Sequence, residues 1–545
     1  MIKWFKSGAP WIWLTAGSVS VSLLAVLGLL LLIGWKGLSY FWPDSVYRFD
    51  ITSNGKTHSL LGEIYDQQVI SRQQLLEAGV QLDPANLDDI TRYVIKVGNR
   101  EQNGSDFVTV LSTHIVQQQL ADNVVVVDRD KNGKFYGYPV AIYEGKVELP
   151  FHDYLQLKEK TVQLRHDLEQ LQQVEIANVN WQLEQLRIQH RKAELKGQAE
   201  PDKIQQYERQ RRQLELEYKQ MEGHLFSLQN QLADSGMIVR NSQGQQVKLP
   251  MDQVLDVWQP NNLTLIEKIA HWGHQVGKFL SEEPREANTE GGVFPAIFGT
   301  VFMVLLMSII VTPLGVMAAV YLHEYAKKNA FTKVIRIAVI NLAGVPSIVY
   351  GVFGLGFFVY MVGGTIDDLF FSAQLPTPTF GTPGVLWSAL TLAILTLPVV
   401  IVSTEEGLAR IPNSVRNGSL ALGATQSETL WRIVLPMASP AIMTGLILAV
   451  ARAAGEVAPL MLVGVVKMAP TLPVDLHFPY VHLDRKFMHL GYHIYDVAFQ
   501  SPNVEAARPL VYATSFLLVT VIISLNLTAI GIRNYLREKY RTLEQ

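Results

Sequence analysis

The sequence predicts an α-helical membrane protein with six transmembrane helices and a large extracytoplasmic α+β insert containing an antiparallel coiled-coil hairpin. Three observations lead there. Apolar stretches of about 18 residues or more, long enough to span a bilayer, occur near the N-terminus and repeatedly after Phe294. The long segment between them is charged and rich in Gln. The loops that join the apolar stretches share out Lys and Arg unevenly, as loops on opposite sides of a membrane do.

The spans are expected at Trp11–Trp35, Phe294–Leu322, Ile335–Val362, Leu386–Val402, Pro436–Val466 and Pro509–Ile532. Lys3 and Lys6 precede the first, as in a signal peptide. Its apolar part is too long for one, and Trp35-Lys36-Gly37 is a poor cleavage site, so residues 1–42 read as a retained anchor. With the N-terminus cytoplasmic, three basic clusters also fall on the cytoplasmic side. They are Lys327, Lys328 and Lys333; Arg410, Arg416 and Arg432; and, towards the C-terminus, Arg533, Arg537, Lys539 and Arg541. The loop 363–385 then lies outside and holds no Lys or Arg. Lys467, Arg485 and Lys486 in the last external loop are a mild exception. This is the pattern of a multi-pass membrane protein with both termini cytoplasmic and the insert outside the cytoplasm.

Residues 43–292 form the insert. RYVIKV, DFVTVLS, NVVVVD and YPVAIYE are β-branched and aromatic runs bounded by Gly, Asn and Asp, and read as strands. Within about 154–234 the texture changes. Ile176, Val179, Leu183, Leu186, His190 and Ala193 follow 4-3 spacing, as do Tyr207, Arg211, Leu214, Tyr218, Met221, Leu225, Leu228 and Leu232. GQAEPD separates the two series, so they read as a helical hairpin. A weak repeat brackets it, GKVELPFHD from Gly145 and GQQVKLPMD from Gly244, so strands entering and leaving the hairpin are expected side by side. Asn262 reads as the cap of an amphipathic helix over about 262–280.

Composition excludes some chemistry. The net charge of −3 marks no nucleic-acid footprint, and the absence of Cys removes disulfides, thiolate metal sites and thiol nucleophiles. DRDKNG (Asp128–Gly133) copies the start of a calcium loop, but its twelfth position is Pro139, so it reads as a polar hairpin turn. His477, His482, His489 and His493 match no strong zinc spacing and read as solvated loop side chains. No cofactor or metal is expected. No G-x-x-x-x-G-K-[S/T] occurs, so the chain is not expected to hydrolyse ATP.

Two stretches within the helical region 293–535 carry polar chemistry. Gly344, Pro346 and Ser347 interrupt an apolar run, and freed backbone groups there serve either close packing or contact with a passing anion. AVARAAGEVAPLMLVG (Ala449–Gly464) holds Arg452 and Glu456 one helical turn apart, about 24 Å along a helix from Pro436. An ionisable side chain at bilayer depth costs roughly 2.5–3.5 kcal/mol, and such residues mark a functional path or an ion pair between helices.

NGSLALGATQSETLWRIVLP (Asn417–Pro436) places Gly423 nine residues before Ile433, with Leu435 and Pro436 following. This frame is similar to the EAA loop of ABC importer permeases, with Asn417, Gly418 and Ser419 where that pattern begins with Glu. NLAGVPSIVYGVFGLGFF, STEEGLARIPNS and RAAGE-x-AP resemble the PstA-type permeases of bacterial phosphate-specific transport systems over about 292–533. Members often carry Arg just before the equivalent of Ser403-Thr404-Glu405, where this chain has Val402. The resemblance implies an ABC type I importer permease core for inorganic phosphate. It also implies a sister permease subunit, a cytoplasmic ABC ATPase dimer coupled through 417–436, and a periplasmic phosphate-binding protein. The path residues are then expected to be Arg452, Glu456, Ser347, Pro346 and Gly344, with Glu456 holding Arg452 until the anion arrives. Two alternatives stay open: a permease for another oxyanion, and a membrane-anchored periplasmic docking or scaffold protein.

Overall fold

A computed structural model of the chain describes residues 9–53, 56–77, 90–197, 201–327, 329–501 and 504–540. Lys3, Lys6, Lys328, Arg541 and most of the GQAEPD break lie outside the described residues. The chain divides into two units: Phe41–Lys278, and a helical unit made of the segment up to Tyr40 together with Phe279 onward.

The Phe41–Lys278 unit holds two antiparallel sheets. The first contains β1 (Val46–Ser53), β2 (Lys56–Ile70), β3 (Ile90–Lys96), β4 (Phe107–Leu111) and β5 (Ile115–Leu120) in the order β4-β3-β2-β1-β5. The second contains β6 (Val125–Arg129), β7 (Phe135–Glu144), β8 (Val147–Pro150), β9 (Ser235–Arg240), β10 (Gln246–Pro250) and β11 (Val254–Trp258). Its order is β10-β9-β7-β6-β11, with β8 on β7. The Asn261 side chain ties the sheets together, accepting from the Val46 amide at 3.0 Å and donating to the Val46 and Ala121 carbonyls at 2.8 Å.

Between β8 and β9 a helix runs Tyr154–Gln170, takes a wider turn at Leu171–Ile176 and continues Ala177–Leu195; a second helix follows at Pro201–Ala233. His190 stacks on Tyr207 at 4.1 Å near the far end. At the near end Tyr154 and Leu157 join the core of the second sheet with Phe135, Met237 and Val239. Arg165 donates to the Met251 and Val254 carbonyls at 2.6 Å, and Lys158 pairs with Asp256 at 2.9 Å.

The bracketing repeat turns out to be two β-hairpins, β7–β8 and β9–β10. β7 and β9 pair with each other, while β8 and β10 do not. The repeated glycines have a backbone reason: Gly145 and Gly244 sit in the turns at φ 62° and 83°, where a Cβ is strained. The DRDKNG turn joins β6 to β7 and is filled by buried Arg129, whose guanidinium donates to the Gly133 and Asn132 carbonyls at 2.9 and 2.6 Å.

The amphipathic helix is Leu265–Ser281, and its cap is corrected from Asn262 to Thr264. Thr264 and Glu267 bond reciprocally, with the Thr264 amide 2.8 Å from the Glu267 carboxylate. The Asn262 side chain is instead engaged by Asn123 and Gln259. Leu265, Ile266 and Ile269 are exposed on this helix.

In the helical unit, six helices among the described residues are long and apolar enough to cross a membrane: Trp11–Ser39, Phe294–Tyr325, Ser347–Phe370, Val385–Ala409, Gln426–Gly455 and Ala507–Lys539. Val385–Ala409 is the central one. Its Ala389, Leu392 and Val400 meet Met303, Met307 and Val311 on one neighbour and Ala449, Val450 and Ala453 on another. Small residues permit this approach: a Cβ on Gly445 would lie 2.8 Å from the Ser403 Cβ, and Ser403 donates across the same contact to the Ala441 carbonyl at 2.9 Å. Gly37 plays the same part for the first helix, against the backbone of Ala513.

Two expected spans are corrected. The third starts at Ser347, and Ala330–Leu342 is a separate helix. Pro346 has no N–H to offer the Leu342 carbonyl, which accepts instead from the Tyr350 hydroxyl at 2.6 Å and the Val345 amide at 3.2 Å. The fifth ends at Gly455 rather than Val466, followed by a short helix at Leu460–Val463. Gly455 is a weak helix former, and Pro459 cannot donate back to its carbonyl.

Candidate functional site

The two interruptions are packed together. Gly351, in the first turns of the Ser347 helix, lies against Pro459, where an added Cβ would stand 2.7 Å from the proline Cα. Arg452 occupies the last turn of the Leu435–Gly455 helix, where a cation complements the negative end of the helix dipole. Glu456 is not one turn further along that helix; it caps it in extended conformation (φ −80°, ψ 132°). Its carboxylate still reaches back to the Arg452 Nε at 3.5 Å, with the two side chains 21% and 33% exposed. The pair is therefore a loose, partly exposed contact.

Gly344 and Pro346 are exposed in the turn, and Ser347 is half-buried at the start of its helix. The Gly344 amide is used locally, donating to the Asn341 carbonyl at 3.0 Å. Ser347 forms no hydrogen bond with Arg452. What joins the groups is Tyr350, which lies within electrostatic reach of Arg452 and bonds Leu342 across the turn.

Residues 413–436 form a second candidate site. A helix at Asn413–Ala421 ends at Gly423, whose φ of 92° lets the chain reverse. The Thr425–Glu428 capping box starts the next helix at Gln426–Thr429, and a wide turn at Leu430–Val434 feeds into Leu435 and Pro436. Asn417 and Gly418 face outward on the first arm. Ser419 is buried and bonds Thr429 at 2.8 Å, joining the two arms. Ile433 is half-buried on the return, whereas Leu422 is 91% exposed at the tip, with Trp431 also open. Leu422 and Trp431 thus give a polar elbow an apolar tip.

Sequence reasoning missed what anchors this elbow. Arg416 was counted only as a loop charge; it donates to Glu324 at 2.9 Å and to the Leu408 and Ile411 carbonyls at 2.8 and 2.7 Å. Glu405 lacks an adjacent Arg, since Val402 holds that place, yet it pairs with Arg336 of the Ala330–Leu342 helix at 3.0 Å. The available signal was Arg336 itself, a charge in the first turn of an expected span.

The histidine expectation is also corrected. His489 and His493 are fully or almost fully buried. They lie beside Asp496, which pairs with Lys467 at 3.1 Å and accepts from Asn288 at 2.9 Å. His482 bonds Asp475 at 2.9 Å next to Arg485 at 2.6 Å. Burial alone would raise the Asp475 pKa, but the bonds from the His477 amide, Arg485 and His482 bring it down to about 2. Among the described residues no three His, Cys, Asp or Glu side chains are placed to hold a metal ion.

Residues 311–542 match the family described as "Binding-protein-dependent transport system inner membrane component". The chain is similar to a probable ABC transporter permease protein, YqgH, of Bacillus subtilis, at 34% identity over 36% of this chain and 60% of that protein. It is also similar to the phosphate transport system permease protein PstA of Mycobacterium leprae, at 34% identity over 40% of this chain and 64% of that protein. The chain thus spans less than two thirds of the length of these relatives. An inward-facing structure of the MetNI methionine ABC transporter aligns over 45% of this chain and 94% of its own, at 19% identity and a TM-score of 0.32, too low to weigh in the argument.

Proposed function

We propose, from the match of residues 311–542 to the binding-protein-dependent transport permeases and the similarity to PstA permeases, that this chain is the permease subunit of an ATP-driven importer of inorganic phosphate. On this reading it forms the translocation path with a sister permease. The 413–436 elbow, with Leu422 at its tip, fits a cleft on a cytoplasmic ATPase dimer, and a periplasmic binding protein delivers the anion. The N- and C-termini are cytoplasmic and the Phe41–Lys278 unit is periplasmic, in keeping with the Lys and Arg bias of the loops.

One observation carries the reading: a guanidinium, Arg452, one-third exposed at the end of an interrupted membrane helix and held only loosely by Glu456. Hydrogen phosphate is a dianion and needs fixed positive charge to replace part of its hydration. The planar fork of Arg matches its oxygens. Glu456 neutralises Arg452 while the path is empty, and at 3.5 Å little is lost in giving it up. Glu456 lies at the helix end, with its backbone held by a single amide hydrogen bond to the Ala453 carbonyl at 3.3 Å, so only its side chain has to turn away. Gly344, Pro346 and Ser347 supply the facing, broken backbone.

Uptake into membrane vesicles tests this. Arg452→Gln is expected to lower phosphate uptake by about 10–100-fold, the scale of one lost charge-assisted contact, with the variant still assembled in the membrane. Uptake at the wild-type rate would refute the path assignment. In the same vesicles, unlabelled phosphate is expected to compete and sulfate and molybdate not to; the reverse order would establish another oxyanion as the substrate.

A further inference from the structure

The end of the helical unit that carries the 413–421 helix holds a cavity of about 1140 Å³. Three pieces of chain enclose it: the end of the Phe294–Tyr325 helix, the start of the Ala330–Leu342 helix, and the turn around 409–416. Four permanently cationic side chains line it, Lys333, Arg336, Arg410 and Arg416. Their balance is uneven. Arg336 is matched by Glu405 at 3.0 Å and Arg416 by Glu324 at 2.9 Å. Lys333 and Arg410 are exposed into the same space and have no carboxylate or hydrogen-bond partner among the described residues. The Nε–H of Arg416 is buried without an acceptor. The cavity therefore keeps two uncompensated positive charges, in a cleft whose walls concentrate the field.

We infer that this cavity binds a phosphate group, either free hydrogen phosphate or the headgroup of an anionic phospholipid. Two separated cations and several donors suit a tetrahedral anion with oxygens on all sides better than a planar carboxylate, which one Arg fork satisfies. The remaining wall is mixed, with His323, Asn329, Thr332 and Asn413 beside an apolar stretch. Leu322, Ile337 and Ile340 line it, and Phe331 and Val334 are exposed on the same helix. The space is many times the roughly 30 Å³ share of one water, so it has room for a headgroup with its glycerol as well as for a hydrated ion. Glu324 and Glu405 hold the two inner arginines in place, which keeps the donors oriented when no anion is present. The assignment goes beyond the import reading and does not rest on it, since the cavity recognises a phosphate group whichever anion is transported.

The test uses the full chain in phosphatidylcholine nanodiscs, with Arg452→Gln as background so that the proposed path is silent. Radiolabelled inorganic phosphate and short-chain phosphatidylglycerol are titrated separately. At least one is expected to bind saturably, to weaken about tenfold or more with Lys333→Gln/Arg410→Gln, and to recover with Lys333→Arg/Arg410→Lys. Saturable binding of inorganic phosphate identifies the free ion as the source; binding of the lipid alone identifies the headgroup. The inference is overturned if neither ligand binds, if binding ignores the neutral pair, or if the charge-conserving pair fails to restore it. The Lys333 and Arg410 side chains make no bonds among the described residues, so equal thermal unfolding of the variants is expected and separates lost binding from lost fold. A substrate other than phosphate in the vesicle assay would remove the import reading and leave this site standing.

Discussion

His489 and His493 show how far a residue's surroundings can depart from its position in the chain. Both lie outside the six apolar helices, His489 capping the short helix Leu490–Phe499 and His493 within it, and both are buried, which pushes each imidazole pKa down to about 4. For His493 the Asp496 carboxylate opposes the shift and Lys467 adds to it. A depressed histidine pKa means that the unfolded chain takes up a proton below about pH 6.5 that the folded chain declines until near 4. The stability these residues support is complete above that range and falls as pH drops through it, by on the order of a few kcal/mol. Thermal unfolding followed from about pH 7 to about pH 4.5 is expected to show this fall, and a shallower one in His493→Gln. Equal slopes would mean that His493 is protonated in the fold.

At the scale of the element, helix ends decide the chemistry. The residues that interrupt the apolar runs, Gly344 with Pro346 and Gly455 with Pro459, are visible in the sequence, but the expected spans ran through both. The apolar count there outweighed two residues whose effect is geometric: a missing donor and a freed carbonyl. The elbow at 413–436 was more legible, because a turn with positive φ demands Gly and a capping box demands Thr-x-x-Glu at fixed offsets. Gly423→Val forces a β-branched side chain into φ 92°, at a cost of about 1–2 kcal/mol, and displaces Leu422 from the tip. Uptake is expected to drop several-fold with the chain still present in the membrane. Wild-type uptake would mean that the tip's geometry plays no part in coupling.

For the whole molecule, the chain joins the helical unit to a second unit, Phe41–Lys278, that the proposed path does not use. Strands interrupted by two long helices resemble a docking module, and the exposed Leu265, Ile266 and Ile269 offer an apolar face beside it. Replacing 43–278 by a short linker is expected to leave a chain that still inserts but captures the proposed phosphate-binding protein more weakly, as read by pull-down. Unchanged capture and unchanged uptake would dispose of a required docking role. The sequence by itself determined where the chain is apolar over a bilayer's thickness, which loops collect Lys and Arg, and that strands flank a helical segment. These are sums and periods over neighbouring residues, so local reading suffices. Only the tertiary structure decided that Arg336 answers Glu405, that Tyr350 takes the carbonyl Pro346 leaves free, and that Lys333 and Arg410 share one cavity. Those facts depend on which distant segments meet, and no periodicity in the chain encodes the meeting.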